Sequence, residues 1–289
     1  MDLREKPGKV QKFLELMLRF RLIALVVMVV ATVSFVATGW QDFVSLPLSA
    51  SESFGMWFAE VDSVGSFFAT TQYISVAAVA CIAMLFVFGG VRAGIASVVT
   101  SAVCLAALFV LDGGEGVVLP MFGILSLVAL ALFLFVKNSV ACALFPFVLC
   151  SLFLEGLLKL CPWSTGETSM GFWWATLSIF AFANSMAFAL VAGKHLGAGV
   201  PQAGALVKAS KQMLVPVLVG ALLLVVAIVE SGAEGVDAAT WLHAALRYVI
   251  VVAWFFVFFF PITSFAPWEK LRSGTRRVQM KDKKKKSKK

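Results

Sequence analysis

Charge is scarce in this chain. Only 14% of its 289 residues are Asp, Glu, Lys or Arg, against about 25% in an average soluble domain. Together with a hydrophobic content of 61% and a mean hydropathy of +0.95, this excludes a water-soluble enzyme, a disordered regulator and a disulfide scaffold. Chemistry-bearing residues are scarce too. The two histidines, His195 and His243, have no second histidine or carboxylate at ligand spacing, so no metal site is expected. The five cysteines include no CxxC pair, and four of them sit inside apolar runs, where a thiol acts as a small buried hydrophobe. No Asp-rich pair suits magnesium, and no Ser/His/Asp set falls on one side of the chain's topology. The loop from Gly193 to Gly199 lacks the order of a phosphate-binding GxxxxGK[ST] motif. No catalytic residue, cofactor site or metal site is therefore expected, and the chain is read as not an enzyme.

What the sequence has is long apolar runs. A bilayer-spanning helix needs about 20 mostly apolar residues. Runs separated by charged or Gly/Pro breaks mark eight candidate spans, near 15–38, 72–90, 93–111, 118–136, 139–160, 172–193, 212–230 and 246–265. The first is longer than the roughly 7–15 apolar residues of a signal peptide, and is read as an uncleaved helix. Very short joints, Gly89-Gly90-Val91-Arg92 and Lys137-Asn138, imply helical hairpins. The stretches Leu85–Phe88 and Leu132–Phe135 enter these two turns with similar Leu/Phe sequences, which raises an internal duplication. The fold class is thus all-α, a polytopic integral membrane bundle of eight spans, with six as the fallback.

The distribution of charge orients it. Of the 24 Lys and Arg, six precede residue 22 and eleven lie between Lys270 and Lys289. With both termini cytoplasmic, 22 of the 24 fall on the inner side, as the positive-inside rule requires. The outer segments 39–71, 112–117, 161–171 and 231–245 carry acids and no Lys or Arg. Lys159 and Arg247 are the exceptions, placed at outer helix ends from which long side chains reach the interface. Most tryptophans, among them Trp40, Trp57, Trp163, Trp173, Trp174 and Trp241, fall near the outer boundary, where an indole meets both lipid and water. The chain accordingly divides into a basic cytoplasmic N-terminus (1–14), a transmembrane bundle (15–265) with its outer segment (39–71), and a Lys-rich tail (266–289) expected to be disordered. A bacterial inner membrane and a eukaryotic membrane fit equally well.

Intramembrane polar residues are the candidate functional groups. Glu155 and Lys159 stand four apart on one face of the fifth span, in the order that favours an ion pair. They form either a relay or a mutually neutralised pair near the surface. Asn184, with Ser178 and Ser185, lies mid-span in the sixth helix, where such groups usually bond to neighbouring helices. From Phe172 to Phe265 the order of helix, basic loop, helix, acidic loop and helix resembles half of the membrane domain of a resistance-nodulation-division exporter. Asn184 stands nearest to that family's intramembrane aspartate, so the residue that resemblance would carry is replaced. The likeness covers about a third of the chain, contains no specific motif and assigns no family.

Two surfaces are open to partners. Lys283, Lys284, Lys285, Lys286, Lys288 and Lys289 form a polybasic tail suited to anionic lipid head groups at the cytoplasmic face or to an acidic protein. Nothing in it points to sequence-specific nucleic acid. Segment 39–71 is acidic and aromatic, too short for a core of its own, and fits an interfacial helix or a protein-docking surface. The functional expectation is a non-catalytic subunit or assembly and scaffold factor of a membrane complex. The alternative is a channel or secondary transporter for a small solute, ion or lipophilic compound.

Overall fold

The computed structural model describes residues 8–35, 37, 64–112, 150, 153–154, 156–158, 167–231 and 238–265. All the secondary structure among them is helical. Helix α1 (Lys9–Arg19) meets α2 (Arg21–Phe35) at a 61° bend. Helix α3 (Val64–Met84) ends in a π-helical turn, Leu85–Gly89, and α4 runs from Val91 to Asp112. The long helices α5 (Glu167–Gly197) and α6 (Gln202–Ser231) follow. Helix α7 (Ala238–Ala253) continues through a π-helical segment, Trp254–Phe259, into a closing helical turn that ends at Phe265.

Three helical stretches are long and apolar enough to cross a membrane: Thr176–Gly197, Gln202–Glu230 and Thr240–Phe265, with mean hydropathies of 1.6, 2.7 and 2.2. The bent pair α1–α2 makes a fourth if taken as one span, and Tyr73–Gly89 and Val91–Cys104 are shorter apolar helices. The described residues therefore support an all-helical protein with three to four membrane-capable helices, short of the eight expected. The expected span 118–136 lies outside the described residues, as does most of 139–160.

Two boundaries differ from expectation, each for a physical reason. The apolar run from 15 to 38 does not form one straight span, because Phe20 leaves helical geometry (φ −85°, ψ 9°) between α1 and α2. Helix α1 is amphipathic. Leu14 is fully buried and Met17 and Leu18 pack with it on the core, while Lys9, Lys12 and Arg19 stay exposed. The last helix, in turn, starts at Ala238 and not near 246, since Ala238-Ala239-Thr240-Trp241-Leu242 contains no charge or breaker to stop it.

The Gly89–Arg92 joint reverses the chain as a short turn must. Gly90 adopts φ +87°, a conformation that glycine reaches without a Cβ penalty. The two helices it joins then separate, α3 packing mainly on α6 and α4 on α5. Close approach at glycine explains the first contact. An added Cβ on Gly220 of α6 would lie 2.8 Å from Phe180 of α5 and 3.3 Å from the Cys81 sulfur of α3, so three helices meet at this point. The Cys81 thiol also donates to the Gly220 carbonyl at 3.5 Å. Small residues at such crossings let backbones come close where lipid provides no hydrophobic drive.

The interior is aromatic toward one end. Phe188 of α5 makes edge-to-face contacts with Phe255, Phe259 and Phe260, with ring centroids 5.7–6.2 Å apart. Trp254 stacks on Phe259 and donates its indole N–H to the Cys150 carbonyl at 2.6 Å. The π-helical segment precedes Pro261, which has no N–H to give to the preceding turn. Widening of the helix there accommodates the missing bond. On the outside, Leu22, Val33, Val76, Val87, Val91 and Leu242 are each more than 60% exposed, the pattern of side chains that face lipid and not water.

Candidate functional site

Among the described residues the buried polar side chains sit on α2 (Thr32), α4, α5, α6, within α7 (Arg247) and in the closing turn that follows it. Helices α4 and α5 run antiparallel, with Gly89 at the level of Val191 and Ser97 at that of Ala183. Ser97 donates to Ala93 of its own helix at 2.8 Å and reaches the Ala183 carbonyl at 3.4 Å, a polar contact between two helices. Asn184 is buried one residue further along α5. Its amide N–H donates to the Phe180 carbonyl at 2.9 Å, and Ser185 donates to the Ala181 carbonyl at 2.8 Å. Both donors thus return to their own backbone, which corrects the expectation that they tie neighbouring helices together. Short polar side chains bond back to the preceding turn readily, because that acceptor is always in reach.

This leaves acceptor capacity unused. Among the described residues the Asn184 Oδ1 has no hydrogen-bond partner, nor do the hydroxyls of Thr100, Ser178 and Ser210. An amide oxygen left unpaired in an apolar interior costs about 1–3 kcal/mol, which makes Asn184 a candidate polar site among the described residues.

Arg247 is the residue that sequence reasoning misplaced. It was expected at an outer helix end, extended to the interface. It is instead 3% exposed and lies nine residues into α7, about 13 Å along the axis at the usual rise. His243, four residues earlier, shares its face and is half-buried. The missed signal was the length of the helix: with α7 beginning at Ala238, Arg247 becomes a buried cation inside a membrane-capable helix, the kind of group that is a functional candidate where such a helix spans a bilayer.

Glu155 and Lys159 lie outside the described residues, as do the tail lysines Lys283, Lys284, Lys285, Lys286, Lys288 and Lys289 and positions 39–63 of the segment 39–71, whose last positions begin α3. Neighbouring positions of the fifth span are described. Phe153 packs edge-on against Phe258, with centroids 4.6 Å apart, and the Phe35 ring lies over Gly156.

The described cations gather at one end. Arg21 donates to the Ser264 hydroxyl at 3.3 Å and stacks on Phe265. Gln202 at the start of α6 donates to the Ser264 carbonyl at 2.8 Å, and His195 at the end of α5 contacts Gln212 at 3.2 Å. The same end therefore holds α1, the beginning of α6 with Lys208 and Lys211, the end of α5 with Lys194, and the turn before Arg92. Arg247 alone among the described Lys and Arg stands away from it. Among the described residues no group of three or more His, Cys, Asp or Glu is placed to hold a metal. No protein-family model, curated protein or solved structure matches the chain.

Proposed function

We propose that the chain is a multi-pass integral membrane protein with its basic end at the cytoplasmic face, acting as a non-catalytic subunit or assembly factor of a membrane complex. The observation that carries this reading is the solid aromatic seal formed by Phe188, Trp254, Phe255, Phe259 and Phe260, all at most 1% exposed. Close-packed rings of this kind make a rigid body, and they leave its lipid- and protein-facing surfaces as the parts free to work. The gathering of cations at one end supports the orientation. The polybasic tail and segment 39–71 are the proposed partner contacts. Crosslinking and mass spectrometry of the gently solubilised protein, with and without residues 270–289, tests the reading. Stoichiometric partners that are lost with the tail are the expected result, and a protein that crosslinks only to itself refutes it.

A channel or secondary transporter for a small solute, ion or lipophilic compound is the second reading. It is favoured by the Asn184 oxygen, which has no hydrogen-bond partner among the described residues, and by the buried cation Arg247. Flux in reconstituted vesicles that disappears in N184L while the protein stays folded would establish it in place of the first.

A further inference from the structure

A cleft of about 740 Å³ opens between α1 and the start of α6. Four cationic side chains line it: Arg19 and Arg21 at the α1–α2 bend, and Lys208 and Lys211 on the first turns of α6. One carboxylate, Glu15, shares the cleft, and it is engaged by the Gln11 amide at 2.9 Å. All four cations are exposed. Gln202, Ala203 and Gly204 line the same space. They form the first turn of a 30-residue helix, whose leading N–H groups have no acceptor within the helix. Cations and orphan donors thus converge on one volume that Glu15 alone balances among the described residues.

The opposite flank of α1 has the reverse character. An apolar groove of about 310 Å³ runs between α1, α6 and α7, lined by residues such as Phe13, Leu214, Leu218, Val252 and Phe256. Val10, Phe13, Leu16 and Phe20 leave apolar surface exposed along α1 itself. A helix bent 61° from the span that follows it, with donors on one flank and apolar surface on the other, matches the boundary between head groups and acyl chains.

We propose that this cleft is a binding site for the phosphate of an anionic membrane lipid, held by Arg19, Arg21, Lys208 and Lys211 against the start of α6. Arg21 is the anchored member, already fixed by Ser264 and Phe265, and the other three are free to close on the phosphate. The site requires that the chain be membrane-embedded, but not that it have protein partners.

The test is native mass spectrometry of the full-length protein in detergent, titrated in parallel with phosphatidylglycerol, phosphatidylcholine and inorganic phosphate. The variants are R19Q/K208Q/K211Q and, as a charge-matched control, K283Q/K284Q/K285Q. All six positions are changed to a neutral polar residue, and the three in the cleft are solvent-exposed, so folding should persist and is checked by circular dichroism. The expected result is preferential phosphatidylglycerol retention by the wild type and by the tail variant. The cleft variant should lose it by on the order of 100-fold, since each of the three cations near the surface contributes about fivefold. Equal retention of the two lipids, or equal loss in both variants, overturns the proposal. Displacement of phosphatidylglycerol by millimolar inorganic phosphate alone would assign the cleft to a soluble anion and overturn the lipid. Lipid-dependent thermal stabilisation that is absent in the cleft variant provides the second readout.

Discussion

Replacing Gly220 by alanine tests the packing of the bundle where α3, α5 and α6 meet. The new Cβ would stand 2.8 and 3.2 Å from Phe180 ring carbons and 3.3 Å from the Cys81 sulfur, where carbon atoms prefer about 3.5–4.0 Å. The Phe180 ring is only 6% exposed and has no open space to swing into. Overpacking of this kind costs about 1–3 kcal/mol, while alanine gains up to about 1 kcal/mol over glycine in helix propensity. The net loss is therefore up to about 2 kcal/mol, which at about 2–4 °C per kcal/mol lowers the melting temperature by up to about 8 °C. Intrinsic tryptophan fluorescence of the detergent-solubilised protein during heating reads this directly. The decisive arm is a double mutant: F180L makes room for the methyl group, so G220A should cost less in the F180L background. Coupling between contacting residues is usually about 0.5–3 kcal/mol. A melting temperature for G220A at or above wild type, with no coupling to F180L, would show that α3, α5 and α6 do not meet at Gly220.

Further consequences follow from individual side chains. Trp254→Phe removes the indole donor and leaves the Cys150 carbonyl without it, so the melting temperature should fall by an amount equivalent to about 1–2 kcal/mol, measured in the same assay. Asn184→Leu removes both the internally bonded N–H and the unpartnered oxygen and should leave stability unchanged or raised by up to about 1 kcal/mol. A large loss would mean that the oxygen has a partner in the membrane. Arg247→Ala takes a buried cation and its long stem from α7 and should destabilise by about 2–4 kcal/mol. A neutral result would place the side chain outside the bundle.

The apolar runs were legible because hydropathy needs no tertiary information. The regions 72–90, 93–111, 172–193, 212–230 and 246–265 all fall on helical chain. The basic end was legible for the same reason, as positive charge had to be kept out of the apolar phase. What could not be read were properties of contact. Gly89-Gly90 announced a turn, but not that its helices would separate, α3 onto α6 beside Gly220 and α4 onto α5. Asn184 announced a buried polar group, yet its choice of its own Phe180 carbonyl over a neighbour depends on geometry. Arg247 was misread because the boundary of α7 was set by the last polar residues, when a run of small and apolar residues from Ala238 already sustains a helix. The bend at Phe20 was hidden within an apolar stretch, though the alternation of Lys9, Lys12 and Arg19 with buried Leu14 and half-buried Leu18 makes α1 amphipathic, unlike the apolar run that follows.

That the chain works as part of a larger membrane assembly is tested most directly by the mass of the intact particle, extracted gently from its native membrane and weighed by native mass spectrometry. A stable species that contains this 31.1 kDa chain together with a different polypeptide in fixed ratio is the predicted result. A particle made of this chain alone, at one copy or many, would contradict it.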